Sequence, residues 1–163
     1  MNVASRVYAK LSKVRSRLTR EATKEELEGF GRAQRLSYDC ATAIAKELRH
    51  GWSERRAASL MDTWLRDHGV RTFFHKSFAW FGDHSRFDCY RNYFQFLPSE
   101  KRLLEPGMAL ILDTAPVLDG YAGDIGFSFA LEPHEGLATA RAALLEQRKK
   151  IPAHFTAGLS PRE

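Results

Sequence analysis

Between Glu25 and Arg49 apolar residues recur at Leu27, Phe30, Ala33, Leu36, Cys40, Ala41, Ile44, Ala45 and Leu48, a three-and-four spacing that puts them on one helix face. His50-Gly51 ends that pattern. Ser53 then caps a second predicted helix, whose stripe of Ala57, Met61, Trp64 and Leu65 stops at Gly69. Beyond Gly69 the period changes. Aromatic residues crowd the stretch from Phe73 to Phe96, broken by Gly82, which favours strands and irregular connections over helix. Pro106-Gly107 predicts a turn, and Met108 to Asp113 is an apolar run short enough for a buried strand. Asp119-Gly120 predicts a tight hairpin reversal, because both residue types tolerate positive φ. The return strand runs from about Tyr121 to Leu131, and Gly136 to Lys150 reads as a further helix. The fold class is therefore α+β: helices first, then an antiparallel hairpin, then another helix.

Composition narrows the class without naming it. The chain has 163 residues, 44% hydrophobic and 28% charged, as expected of a globular domain. Its longest apolar stretch, Met108 to Leu112, is far below the roughly 18 residues of a membrane span, so no membrane partner is expected. Cys40 and Cys89 are too few for a disulfide scaffold and no hydrophobic leader is evident, which points to a cytoplasmic location. The net charge of +5 arises between Met1 and Arg20, where six basic residues meet no acid. Val3, Val7, Leu11, Val14 and Leu18 give this segment helical spacing. A basic surface helix is its leading reading, with a targeting segment or a phosphate-binding arm as alternatives. Eight of the eleven phenylalanines lie between Phe73 and Phe127, where Lys and Arg are few: Lys76, Arg86, Arg91, Lys101 and Arg102. That is the pattern of a core, so no nucleic-acid partner is expected, while the aromatics leave room for a homodimer face. Ser160-Pro161-Arg162-Glu163 reads as a helix start, which predicts the front part of a longer protein.

The sharpest chemistry is Asp113 and Asp124, one on each arm of the hairpin. With Asp119-Gly120 as the two-residue loop, Asp113 faces Gly126 and Asp124 faces Ala115. A turn centred on Leu118-Asp119 would instead oppose the two carboxylates directly. Either register leaves them on one side of the sheet, since side chains alternate along a strand. Two carboxylates converging beside Ile111, Ala115 and Ala122 repel unless a cation lies between them, and divalent ions take carboxylate oxygens.

The stretch Leu104-Glu-Pro-Gly-Met-Ala-Leu-Ile-Leu-Asp113-Thr-Ala-Pro-Val-Leu-Asp-Gly-Tyr-Ala-Gly-Asp124-Ile-Gly resembles the metal-binding hairpin of the pita-bread metallopeptidases, the family of methionine aminopeptidase, prolidase, aminopeptidase P and creatinase. Arg32-Ala33 on the long helix and Gly51-Trp-Ser-Glu54 resemble the family's approach to that site. The resemblance spans roughly Glu25 to Glu132. It implies a pita-bread catalytic domain, of which residues 21–163 are the front part and residues 1–20 a basic helix or arm. It implies two divalent metal ions (Mn, Co, Fe or Zn), with Asp113 binding one and Asp124 bridging both. A His and two Glu from the family's second half would complete the site; neither His134 nor His154 sits in a matching motif. The implied activity is that of an aminopeptidase or Xaa-Pro peptidase acting on a peptide or small amide, with metal-bound hydroxide attacking the scissile carbonyl in the full-length protein. The alternative is a non-catalytic pita-bread module that binds a protein or peptide. The family's substrate-contacting His has no counterpart in Cys89-Tyr-Arg-Asn-Tyr-Phe-Gln95. His75 resembles a His that some bacterial members place earlier, before a pair like Phe81-Gly82, and is the catalytic candidate; His84 is the second. Where the family reads Arg-Thr after the second Asp, this chain has Phe127-Ser128.

Overall fold

The computed structural model of the chain describes residues 21–86, 88 and 91–154. The basic N-terminal segment and the helix-start signal at Ser160 therefore lie outside the described residues. Helix α1, Lys24–Glu47, starts at a capping box in which Thr23 and Glu26 each bond the other's backbone N–H. It buries Ala33, Cys40, Ala41 and Ile44, as its spacing predicts, and also Ser37, which the apolar pattern does not mark. Its first turns differ from the prediction: Leu27 and Phe30 are exposed and Gly29 is buried. The reason is the hairpin, whose Tyr121 ring lies directly on Gly29 and edge-on to Phe30 at 5.2 Å. Any side chain at position 29 would collide with that ring.

Helix α2, Glu54–Asp67, is capped by Ser53, whose hydroxyl accepts from the Arg56 N–H at 3.2 Å. Gly69, at φ +91°, turns the chain out of it. Strand β1, Thr72–Phe81, follows, then two short 3-10 turns at Gly82–Ser85 and Tyr93–Phe96. Strand β2, Ala109–Leu118, is the centre of the sheet, antiparallel to β1 on one side and to the return arm on the other. The reversal at Asp119-Gly120 has φ of 52° and 85°, and Leu118 pairs with Tyr121 to close it, as the sequence predicts.

The return arm is not one strand. It divides into β3, Tyr121–Ala122, and β4, Ile125–Ala130, with Gly123 and Asp124 between them. Pro116 explains the break: its carbonyl accepts from the Gly123 N–H at 2.9 Å, but it has no N–H with which to complete the pair. The final helix, α3, is Glu135–His154.

Helices α1 and α2 cover one face of the sheet. There Cys40, Ile44, Met61 and Leu65 pack with Ala79, Phe81, Leu110, Leu112 and Ile125 as the core. Burial, reinforced by the charge of Asp62, pushes the Cys40 thiol up to about 12. Among the described residues no helix is long and apolar enough to cross a membrane.

Candidate metal centre

The site lies on the other face. Alternation along β2 sends Leu110, Leu112 and Thr114 into the core and leaves Ile111, Asp113 and Ala115 outward. Asp113 pairs with Gly126 across the β2–β4 ladder, the register read from the hairpin, and the missing side chain at 126 leaves space beside the carboxylate. Asp124 stands in the gap between β3 and β4. Gln34 of α1 holds it there, donating from Nε2 to the Asp124 carbonyl at 3.0 Å and accepting from the Asp124 N–H at 3.1 Å. A side-chain amide thus replaces the ladder bonds that the return arm loses at this point.

His75 reaches the same face because β1 is irregular on both sides of it. The pairing shifts between Phe73 and His75 and again between His75 and Phe78. In a regular strand residues 75 and 78 point to opposite faces. Here His75 pairs with Ala115 and Phe78 with Asp113, so both face outward. Helix α2 secures the distortion. Asp62 accepts the Ser77 N–H at 3.1 Å and meets Lys76 Nζ at 3.3 Å, while the Ser77 hydroxyl bonds that of Thr114 at 2.8 Å.

The three side chains converge. His75 Nε2 is 3.5 Å from Asp113 Oδ1 and 3.6 Å from Asp124 Oδ1, and one donor atom of each residue lies within 4.8 Å of the others. Exposure rises outward, from 22% for the Asp113 side chain through 30% for His75 to 62% for Asp124. Burial pushes the Asp113 carboxyl up to about 6; His75 opposes the rise and Asp124 adds to it. Beside the cluster lies an aromatic floor. Phe78 stacks on Trp80 at 5.0 Å, both meet Phe96, and the Trp80 indole N–H donates to the Phe96 carbonyl at 2.8 Å. One imidazole and two carboxylates suit a divalent ion of the Mn, Fe, Co or Zn type, so the donor chemistry fits the metal that the sequence resemblance implies.

The second candidate, His84, is placed elsewhere. It is buried, with Nδ1 2.7 Å from Glu54 Oε1 and Nε2 2.7 Å from the Gln95 carbonyl. Held at both ring nitrogens, His84 is a structural tie outside the carboxylate cluster. Glu54, fully buried, also accepts from the Phe81 and Ser99 N–H groups, at 3.0 Å each. The Gly51-Trp-Ser-Glu54 segment therefore braces the start of α2 against the end of β1. His134 Nδ1 accepts the Leu137 N–H at 3.1 Å at the start of α3, and the His154 side chain lies outside the described residues. Phe127 pairs with Leu112 and packs on the core side of the sheet, away from the carboxylates.

Gln34, Asp62 and Pro116 are the positioning residues that the sequence reading missed. Pro116, inside the apolar run of β2, was the one legible signal, since a proline there breaks a ladder. Gln34 and Asp62 carry no local pattern that marks them.

An α+β unit with two acids on the outer face of a hairpin defines the front of a pita-bread fold, and solved structures agree. The X-Pro aminopeptidase from Thermotoga maritima MSB8 matches with a TM-score of 0.68 at 19% identity, over 78% of this chain and 35% of that one. A prolidase from Thermococcus sibiricus matches at 0.68 and 18% identity, over 93% and 42%. The Xaa-Pro dipeptidase from Bacillus anthracis matches at 0.64 and 22%, over 76% and 33%. The chain thus spans about a third of the length of the first two enzymes it matches in the Xaa-Pro group. The model of metallopeptidase family M24 matches residues 28–163, and the chain belongs to that family. No curated protein matches it.

Proposed function

We propose that this chain supplies the carboxylate side of the metal centre of a peptidase that cleaves Xaa-Pro or N-terminal peptide bonds. The observation that carries the reading is the convergence of Asp113 and Asp124 on the outer face of the hairpin, with His75 beside them. Membership of family M24 and likeness to Xaa-Pro peptidases support it. A bound divalent ion would supply Lewis acidity toward a scissile carbonyl and lower the pKa of water. The two carboxylates neutralise its charge, and Gln34 fixes the backbone that carries Asp124.

The dinuclear centre implied by the resemblance takes five ligands, of which Asp113 and Asp124 are two. Hydrolysis is therefore assigned to the full-length protein, and the 163-residue chain by itself is expected to be inactive. The test is metal analysis and Xaa-Pro dipeptide hydrolysis by the full-length product, its Asp113→Asn variant and its Asp124→Asn variant. Each variant should lose bound metal and at least about a hundredfold in activity. Full activity in either, or hydrolysis by the 163-residue chain alone, would show that the ligands are assigned wrongly. The second reading, a peptide-binding module without catalysis, is favoured by the absence of a histidine between Cys89 and Gln95. It predicts peptide binding that is indifferent to both substitutions and to chelators.

A further inference from the structure

We infer that His75 is itself a ligand, so that His75, Asp113 and Asp124 form a three-donor site able to hold one divalent ion within this chain. The inference rests on the metal reading above and assigns His75 to the ion, where the sequence resemblance assigns it to the substrate.

His75 Nδ1 lies 2.9 Å from the carbonyl oxygen of Lys76, which can only accept, so Nδ1 carries a proton. In the neutral ring Nε2 then presents its lone pair, and Nε2 is the atom that faces both carboxylates. This is the arrangement of metal-ligating histidines, in which one nitrogen is oriented by a backbone carbonyl and the other is left for the ion.

A direct N–H···O hydrogen bond spans about 2.7–3.2 Å. His75 Nε2 stands 3.5 and 3.6 Å from the two carboxylate oxygens, beyond that range. Donors bound about 2.0–2.2 Å from one ion at tetrahedral angles lie roughly 3.3–3.6 Å apart. The spacing suits an ion between the groups better than a shared proton.

Strand β1 is irregular on both sides of the ring. The two shifts in β1 turn His75 toward Asp113, and Phe78 packs against its ring at 5.4 Å. Three protein donors leave further coordination positions open to solvent.

The test is titration of the 163-residue chain with Co²⁺ and Zn²⁺, followed by the visible absorption of cobalt, by calorimetry and by the proton NMR signals of the His75 ring. Parent, His75→Gln and Asp113→Asn are compared, with circular dichroism to show that each keeps its fold. The expected result is one ion per chain, paramagnetically shifted His75 signals in the parent, and binding at least about tenfold weaker with an altered cobalt spectrum in His75→Gln. If His75→Gln keeps the parent's affinity and spectrum while Asp113→Asn loses the ion, the ligand role of His75 falls and the metallopeptidase reading stands. If neither substitution changes binding, both fall. If the parent chain takes up no ion, the three-donor site is overturned, and metal analysis of the full-length product decides the peptidase reading separately.

Discussion

Asp113 carries an energetic signature that a substitution can expose. Its carboxyl is raised from an ordinary value of 3.8 to about 6 in the folded chain, first by burial, against His75 and with Asp124. A raised folded-state value means that folding favours the protonated form. The associated stability is complete below about pH 4 and is lost as pH rises through 6. That rise corresponds to at most about 3 kcal/mol, and solvent at this partly exposed side chain reduces it to roughly 1–2 kcal/mol. Without added metal, Asp113→Asn should therefore be more stable than the parent by about 1–2 kcal/mol at pH 7, with the difference closing by pH 4. Urea unfolding at the two pH values measures this, and an equal or less stable variant at pH 7 would contradict it. The shared face of Asp113 and Asp124 was legible from alternation alone, because any two-residue change of register preserves it. The placement of His75 was not. Its orientation depends on two irregularities in β1 that Asp62 and Thr114 secure from other elements, and no pattern local to residues 72–81 encodes those partners.

Among the elements, α1, α2, the hairpin turn and α3 follow from periodicity and capping chemistry, each within a few residues of its predicted bounds. The return arm departs from prediction because Pro116 cannot donate to it. The same region shows why small residues recur along α1 and the hairpin. A Cβ on Gly123 would run into the Ala33 carbonyl and the Ser37 hydroxyl, and backbone atoms of a helix cannot move aside. Gly123→Ala should push the hairpin off α1, costing about 1–3 kcal/mol and displacing Asp124 from Gln34. Gly31, two residues from Gly29 on the same helix, meets only the end of the Arg35 side chain, at 3.4 Å. Gly31→Ala should therefore stabilise by about 0.5–1 kcal/mol through helix propensity. Chemical denaturation of the pair separates the two effects, and destabilisation of similar size in both would refute the role given to Gly123.

For the whole molecule, the sheet divides the labour: one face joins α1 and α2 in the core, and the other presents the acids and the aromatic floor. The core face was readable in the sequence because burial imposes period. The functional face was readable in its candidate residues but not in what aims them: Gln34 of α1, which holds Asp124, and Asp62 of α2, which bonds the strand beside His75, lie far away in the chain.

Cys40 gives a way to time the separation of these parts. It lies fully buried on α1, with its sulfur 3.7 Å from the Met61 carbonyl of α2, and its thiol keeps its proton to about pH 12. Alkylating reagents attack the thiolate. In a Cys89→Ser background, such a reagent meets a reactive Cys40 only after the two helices part. Modification at pH 8 should run at least about a hundredfold slower than in concentrated urea, and its rate should fall further when a divalent ion binds the folded form alone. A native rate matching the unfolded one would mean that the helix pair opens freely. Otherwise a single sulfur atom serves as a clock for the breathing of the whole unit.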